Sequence, residues 1–201
     1  RLVFAFRPHT SYFVATPDEL LPLPDGIFPE MACFLPNMET APNLVQDGSP
    51  ILGERAFVLG QGIVGLLTAA LLAEFPLQTL ITADCYRLRR EASIGLGANS
   101  SFDPDKPDFP KQVSHQGGYD LTFYLSGSPS ALNNAIALTG FGGRVVIGSW
   151  YGEKKATLDL GGEFHRSRIK LISSQVSTIS PELSARWDKA RRFKIAWDAL
   201  K

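Results

Sequence analysis

Three glycines, Gly60, Gly62 and Gly65, stand in the spacing G-x-G-x-x-G between an apolar β-type run and an apolar run of helix formers. Each can do a separate job where a strand turns into a helix. Gly60 permits a tight turn, Gly62 lacks the Cβ that would keep backbone away from a pyrophosphate, and Gly65 lets the helix pack close to the strand. The N–H groups that open the helix, at Ile63, Val64 and Gly65, then face an anion with the positive end of the helix dipole behind them. Asp84 lies 24 residues beyond Gly60, after a second apolar run, Leu80-Ile81-Thr82-Ala83. A carboxylate at that point accepts hydrogen bonds from adenosine ribose hydroxyls and repels a 2′-phosphate, so NAD is favoured over NADP. Arg87, Arg89 and Arg90 follow closely. Arg89 is a candidate cofactor contact, and an arginine there could hold a phosphate. A capping carboxylate is the structural alternative for Asp84.

These residues need a scaffold that delivers strand ends to one crevice. Apolar runs at 55–59, 79–83, 99–102, 120–125, 144–147 and 169–173 read as strands, and 63–75, 86–96 and 129–139 as helices between them. Such alternation predicts an α/β fold, a Rossmann-type doubly wound parallel sheet with helices on both faces. Residues 103–118, rich in Pro, Asp and Gly, read as a loop with room for one turn of helix. Ahead of this unit, residues 1–50 are rich in Pro and aromatics, with short strands expected at 1–6 and 11–15 and a helical pattern over 29–45 interrupted by Pro36 and Pro42. A last helix is expected from Ser180, with Pro181 at its first position and a stripe of Leu183, Trp187, Ala190, Phe193, Trp197 and Leu200. Arg186, Lys189, Arg191 and Arg192 would form its solvated face. The division expected is thus 1–50, 51–178 for the cofactor domain, and 179–201.

The chain has 201 residues, 44% of them hydrophobic, and 20 basic against 20 acidic side chains. No nucleic-acid footprint or polybasic membrane patch follows from that balance. The uncharged stretch 56–73 approaches a membrane-spanning length, but three glycines and Gln61 in its first half read as strand–turn–helix. Two cysteines, Cys33 and Cys85, suggest a reduced, cytoplasmic setting. The opening residues read as a strand already under way, so a domain cut from a longer protein is expected.

Several stretches together resemble the medium-chain dehydrogenase/reductase superfamily, the zinc-type alcohol, sorbitol and threonine dehydrogenases. They are Gly53-Glu-Arg-Ala-Phe-Val-Leu-Gly-Gln-Gly-Ile-Val-Gly65, Asp84 followed by Leu96-Gly97-Ala98, Tyr119-Asp120-Leu121 with Ser126-Gly127, and Gly142-Gly-Arg-Val-Val-Ile-Gly148. The resemblance implies an NAD(P)-dependent hydride transfer to or from an alcohol or carbonyl substrate. It places Ser126, Gly127, Gly148 and Ser149 at strand ends beside the nicotinamide; plain turn glycines are the alternative for the two glycines. It makes residues 1–50 the end of a GroES-like catalytic domain with its linking helix, puts Thr40 near the nicotinamide, sends the last helix back toward the catalytic domain, and leaves a homodimer through the sheet edge open.

Two departures bear on metal. The region aligned with the family's third zinc ligand holds Pro36, which cannot coordinate, although Cys33, Asn37 and Glu39 are near. His9, His115 and His165 have no Cys or His partner at ligand spacing, so no zinc is expected in this chain. No catalytic proton-transfer residue is identified. Two alternatives stand: a non-catalytic cofactor-binding relative, and an S-adenosylmethionine-dependent methyltransferase, which shares the glycine turn and the acidic residue.

Overall fold

The computed structural model describes residues 2–201, so of the expected opening strand only Arg1 lies outside it. Six strands form one wholly parallel sheet: β3 (Arg55–Leu59), β4 (Thr79–Ala83), β5 (Ser100–Phe102), β6 (Tyr119–Tyr124), β7 (Thr139–Ile147) and β8 (Lys170–Ser173), in the order β5-β4-β3-β6-β7-β8. The first of these six strands in sequence, β3, lies in the middle, and the chain winds outward from it in both directions. Between β3 and β6 the direction of winding reverses, which opens a crevice at their carboxyl ends.

Alternation along β3 explains the two layers. Phe57 and Leu59 face one side and pack with Leu132, Ala135 and Ile136 of α6 (Ala131–Leu138) and with Phe109 and Val113 of α5 (Phe109–Val113). Ala56 and Val58 face the other side, against Leu44 and Val45 of α2 (Leu35–Gly48) and Ala69 and Leu72 of α3 (Ile63–Ala73). Both faces of the strand are buried, as a central parallel strand requires. The short helices α4 (Arg87–Gly95) and α7 (Glu163–Arg166) complete the covering connections.

A third cluster lies beyond the sheet. Leu35, Met38 and Ala41 of α2 meet Ala196 and Trp197 of α8 (Lys189–Ala199) and Leu200 just beyond it, with Phe4 of β1 (Val3–Phe4) and Leu21 of β2 (Leu21–Pro22) packed on them. β1 and β2 pair antiparallel, and α1 (Pro29–Ala32) leads into α2.

Four expectations are corrected. Residues 11–15 form no strand: Tyr12 and Val14 are more than 90% exposed, with nothing to pair against. Pro42 does not interrupt α2, because packing against α3 on one side and α8 on the other holds the turn that has lost its N–H bond. Residues 180–188 form separate turns, and the last helix starts at Lys189, capped by the Asp188 carboxylate on the Arg191 N–H at 2.7 Å. Arg192, expected on a solvated face, is wholly buried.

No helix among the described residues is long and apolar enough to cross a membrane; the uncharged stretch 56–73 is β3, a turn and α3.

Candidate cofactor site

The turn from β3 to α3 sits at the mouth of the crevice. Gly60 has φ +101°, a left-handed conformation, and a Cβ there would stand 2.7 Å from the Leu125 carbonyl and 2.8 Å from the Ser126 nitrogen. A Cβ on Gly65 would stand 2.0 Å from the Gly60 carbonyl oxygen. Both glycines are thus demanded by the fold itself. Gly62 differs: a Cβ built on it meets nothing within 4 Å. Its φ of −66° suits any residue, so the protein gives no internal reason for glycine there. Gly62 also occupies the N-cap of α3 without a side-chain cap, and the Ile63, Val64 and Gly65 N–H groups have no acceptor among the described residues. An uncapped helix start beside a bare Cα is the arrangement that receives a diphosphate. Ile63 is half exposed, and Val64 packs inward on the sheet.

Asp84 closes the other side of the turn. One carboxylate oxygen accepts the Gln61 N–H at 2.8 Å and the other accepts the Tyr86 N–H at 2.9 Å, while the Arg89 guanidinium stands 3.5 Å away and over the Tyr86 ring. Each oxygen keeps a second lone pair, so these two contacts leave the carboxylate free to accept further hydrogen bonds. Gln61 carries a signal missed in the sequence. Its side chain is fully buried, with Nε2 donating to the Val58 and Gly60 carbonyls, and Oε1 has no donor among the described residues.

The strand ends on the far side come together. The Ser149 hydroxyl donates to the Ser126 carbonyl at 2.7 Å, joining the exits of β7 and β6. Gly127 has open space beside it. Gly148 is glycine for a packing reason, because a Cβ would stand 2.5 Å from a Leu44 methyl and 2.6 Å from a Leu125 methyl. The Thr40 hydroxyl is used within its own helix, donating to the Pro36 carbonyl at 2.9 Å. One position earlier, Glu39 is buried and meets Lys189 and Arg192. A cavity of about 630 Å³ opens there, lined by Phe6, Leu21, Glu39, Val176, Lys189 and Phe193.

The buried carboxylate at that place, Glu39, is engaged by two cations, Lys189 and Arg192, which are not the donor types a zinc ion takes. Among the described residues, one group of three ligand-type side chains lies close enough, Cys85, Asp103 and Asp105, and it sits at the exits of β4 and β5, on the Asp84 side of the crevice. There burial, with the nearby Asp105, Asp84 and Asp103 carboxylates, pushes the Cys85 thiol up to about 11.

Comparison with known proteins agrees with this geometry. Residues 64–193 match the family model described as zinc-binding dehydrogenase. L-threonine 3-dehydrogenase of Xanthomonas campestris pv. campestris is 24% identical over 139 residues, covering 68% of this chain and 41% of that protein. L-galactonate-5-dehydrogenase of Escherichia coli is 29% identical over 158 residues, covering 77% and 45%. The chain thus spans less than half the length of these relatives. A structure from E. coli CFT073, described as a short chain alcohol dehydrogenase complexed with NADH, superposes with a TM-score of 0.75 at 18% identity, over 92% of this chain and 52% of that one. That likeness shows the shared fold. With the family match covering well over half of its residues, and the glycine turn of that fold at the switch point of its sheet, the chain belongs to the zinc-binding dehydrogenases, within the medium-chain dehydrogenase/reductase superfamily.

Proposed function

We propose that this chain is the cofactor-binding part of an NAD(P)-dependent oxidoreductase acting on an alcohol or carbonyl substrate, with NAD the preferred cofactor. The observation that carries the reading is Gly62, a glycine with nothing near it, at an uncapped helix start in the crevice. In this reading the Ile63, Val64 and Gly65 N–H groups bind the diphosphate, and Gly60 and Gly65 hold the turn in shape. Asp84 receives the adenosine ribose, and its charge disfavours a 2′-phosphate, with Arg89 at 3.5 Å able to offset part of that charge. Ser126, Gly127, Gly148 and Ser149 border the nicotinamide, and Thr40 lies on the helix above them. The nicotinamide supplies the hydride chemistry when bound, while the protein orients it and excludes water. No step is assigned to a metal.

The reading extends to the rest of the chain: residues 1–50 and 179–201 belong to the catalytic side of the cleft and 51–178 to the cofactor side. The unpaired outer edge of β8 suits a homodimer, and the two free thiols suit the cytoplasm. The methyltransferase alternative falls with the family assignment.

Calorimetric titration with NADH, NADPH and S-adenosylmethionine tests this reading. Saturable binding of NADH, weaker binding of NADPH and none of S-adenosylmethionine is the expected result. A folded chain that ignores both nicotinamide cofactors contradicts it.

A further inference from the structure

The turn that follows β8 is held by a set of buried ionic contacts to which the cofactor reading gives no role. All three guanidinium nitrogens of Arg192 are used: on Glu39 Oε1 at 3.3 and 3.1 Å, on Asn43 Oδ1, on the Val176 carbonyl, and on the Thr178 carbonyl at 3.1 Å. Lys189 Nζ donates to the same Glu39 oxygen and, at 3.0 Å, to the Val176 carbonyl. Deeper in, Ser174 donates to Asp47 at 2.6 Å and accepts from Asn43 at 2.9 Å. Glu39, Asn43 and Asp47 recur every four residues and form one stripe along α2, and Lys189 and Arg192 are one turn apart on α8. Lys189 and Arg192, braced by Glu39 and Asn43 of the facing helix, thus hold two backbone carbonyls of the turn, those of Val176 and Thr178.

A wholly buried arginine is costly to desolvate, and general stability does not require it: apolar side chains of similar volume often serve as well. What the arginine fixes is geometry, because its planar fork accepts few arrangements of carbonyl partners. The place it fixes is specific. A dinucleotide in a doubly wound sheet lies across the switch point, with one half over β4 and β5, where Asp84 stands, and the other over β6, β7 and β8. The clamped turn is the exit of β8. Ser177 and Thr178 stay exposed although the Val176 and Thr178 carbonyls on either side of Ser177 are held, and the Val176 and Thr178 N–H groups and the Gln175 and Ser177 carbonyls have no partner among the described residues. A nicotinamide carboxamide offers both a donor and an acceptor, the complement of such a turn.

Resting on the cofactor reading above, we propose that Arg192, with Glu39 and Lys189, is a positioning device that fixes the Val176–Thr178 backbone as the wall against which the nicotinamide half of the cofactor is oriented. Arg192 touches no ligand itself; it acts through the turn.

Paired ligands separate this role from plain structural support. NADH and ADP-ribose share the adenosine and diphosphate, but only NADH carries the nicotinamide. Affinities of both are measured by calorimetry for the wild-type chain, Arg192→Met and Lys189→Met, with folding checked by circular dichroism. Lys189 is the more exposed of the two cations, so its variant keeps the comparison available if Arg192→Met does not fold. Expected is a loss of about tenfold in NADH affinity with ADP-ribose changed less than about twofold, the worth of one or two charge-assisted hydrogen bonds. Equal losses for both ligands, or none for either, overturn the inference while leaving cofactor binding intact. A wild-type chain that binds neither ligand overturns the cofactor reading and this inference with it.

Discussion

At the scale of single residues, the three glycines of the turn make opposite predictions. Gly65→Ala places a methyl 2.0 Å from a backbone oxygen and is expected to cost about 2 kcal/mol or more, whatever the ligand. Gly62→Ala meets open space, so its melting temperature is expected to stay within about 2 °C of wild type, while NADH affinity falls about tenfold as the methyl enters the approach to the diphosphate. Thermal melts and NADH titrations on both variants check this; loss of stability in Gly62→Ala with unchanged affinity would reverse their roles. Asp47 behaves differently again. Burial raises its carboxyl above the ordinary value of 3.8, outweighing the bonds from Ser174 and Asn43. A raised folded value means the folded state holds the proton more tightly than the unfolded one. The resulting stabilisation is complete below about 3.8 and is lost as pH rises through the higher folded value. Asp47→Asn keeps the oxygen acceptor and removes the charge. It is expected to melt at or above the wild-type temperature at pH 7, with the difference shrinking as the solution is acidified. A wild type that outlasts the variant at pH 7 contradicts the assignment. Little of this was legible in sequence. The glycine spacing showed all three residues but not which are required by the fold and which by a ligand, because that distinction depends on what each missing Cβ would touch.

Element by element, the parts governed by local pattern were legible and the parts governed by distant partners were not. The turn from β3 to α3 and the apolar runs of β4, β6 and β8 follow from neighbours in sequence, and strands and helices stand close to where periodicity puts them. Residues 180–188 carry a plausible cap, a proline at the right place and an apolar stripe, yet form turns. Asp188 makes the cap that starts α8, and Arg192 grips backbone at 176 and 178, so the intervening chain must loop across. The partner stripe of Glu39, Asn43 and Asp47 lies about 150 positions away, which periodicity within one helix cannot show. Arg144 makes a second long-range tie. It pairs with both Glu54 oxygens at 2.7 Å and donates to the Gly48 and Ser49 carbonyls, joining the end of α2, the start of β3 and β7. Arg144→Met leaves Glu54 largely buried without its cationic partner, keeping only the Ile51 N–H at 2.8 Å. We expect a loss of about 3 kcal/mol in urea unfolding, with an unchanged m-value. A loss under about 1 kcal/mol would mean the tie is replaceable by solvent.

For the molecule as a whole, the doubly wound order of the sheet is what brings separate pieces of sequence to one crevice. The glycine turn, Asp84 and the Ser126–Ser149 contact come from four strand exits, and β8 adds a fifth. The likeness of short stretches to a known superfamily was visible in sequence because close backbone approaches at those exits, as at Gly60, Gly65 and Gly148, demand particular residue types. The cavity beside Glu39 is less legible, since it is built from the N-terminal hairpin, α2, α8 and the turn after β8, which share no motif. Asp84 offers a test at this scale, because it bridges the turn and the exit of β4. Asp84→Asn keeps an acceptor for one N–H and removes the charge, so the ratio of NADPH to NADH affinity is expected to rise about tenfold. An unchanged ratio would place the ribose elsewhere. Diphosphate binding at the glycine turn is read out by an amide ¹H–¹⁵N spectrum of the chain titrated with NADH. Saturable shifts are expected, largest at the Ile63, Val64 and Gly65 amides, in step with those at the exits of β4 and β6. Saturation with those three amides unmoved, or no saturation in a folded sample, contradicts binding there.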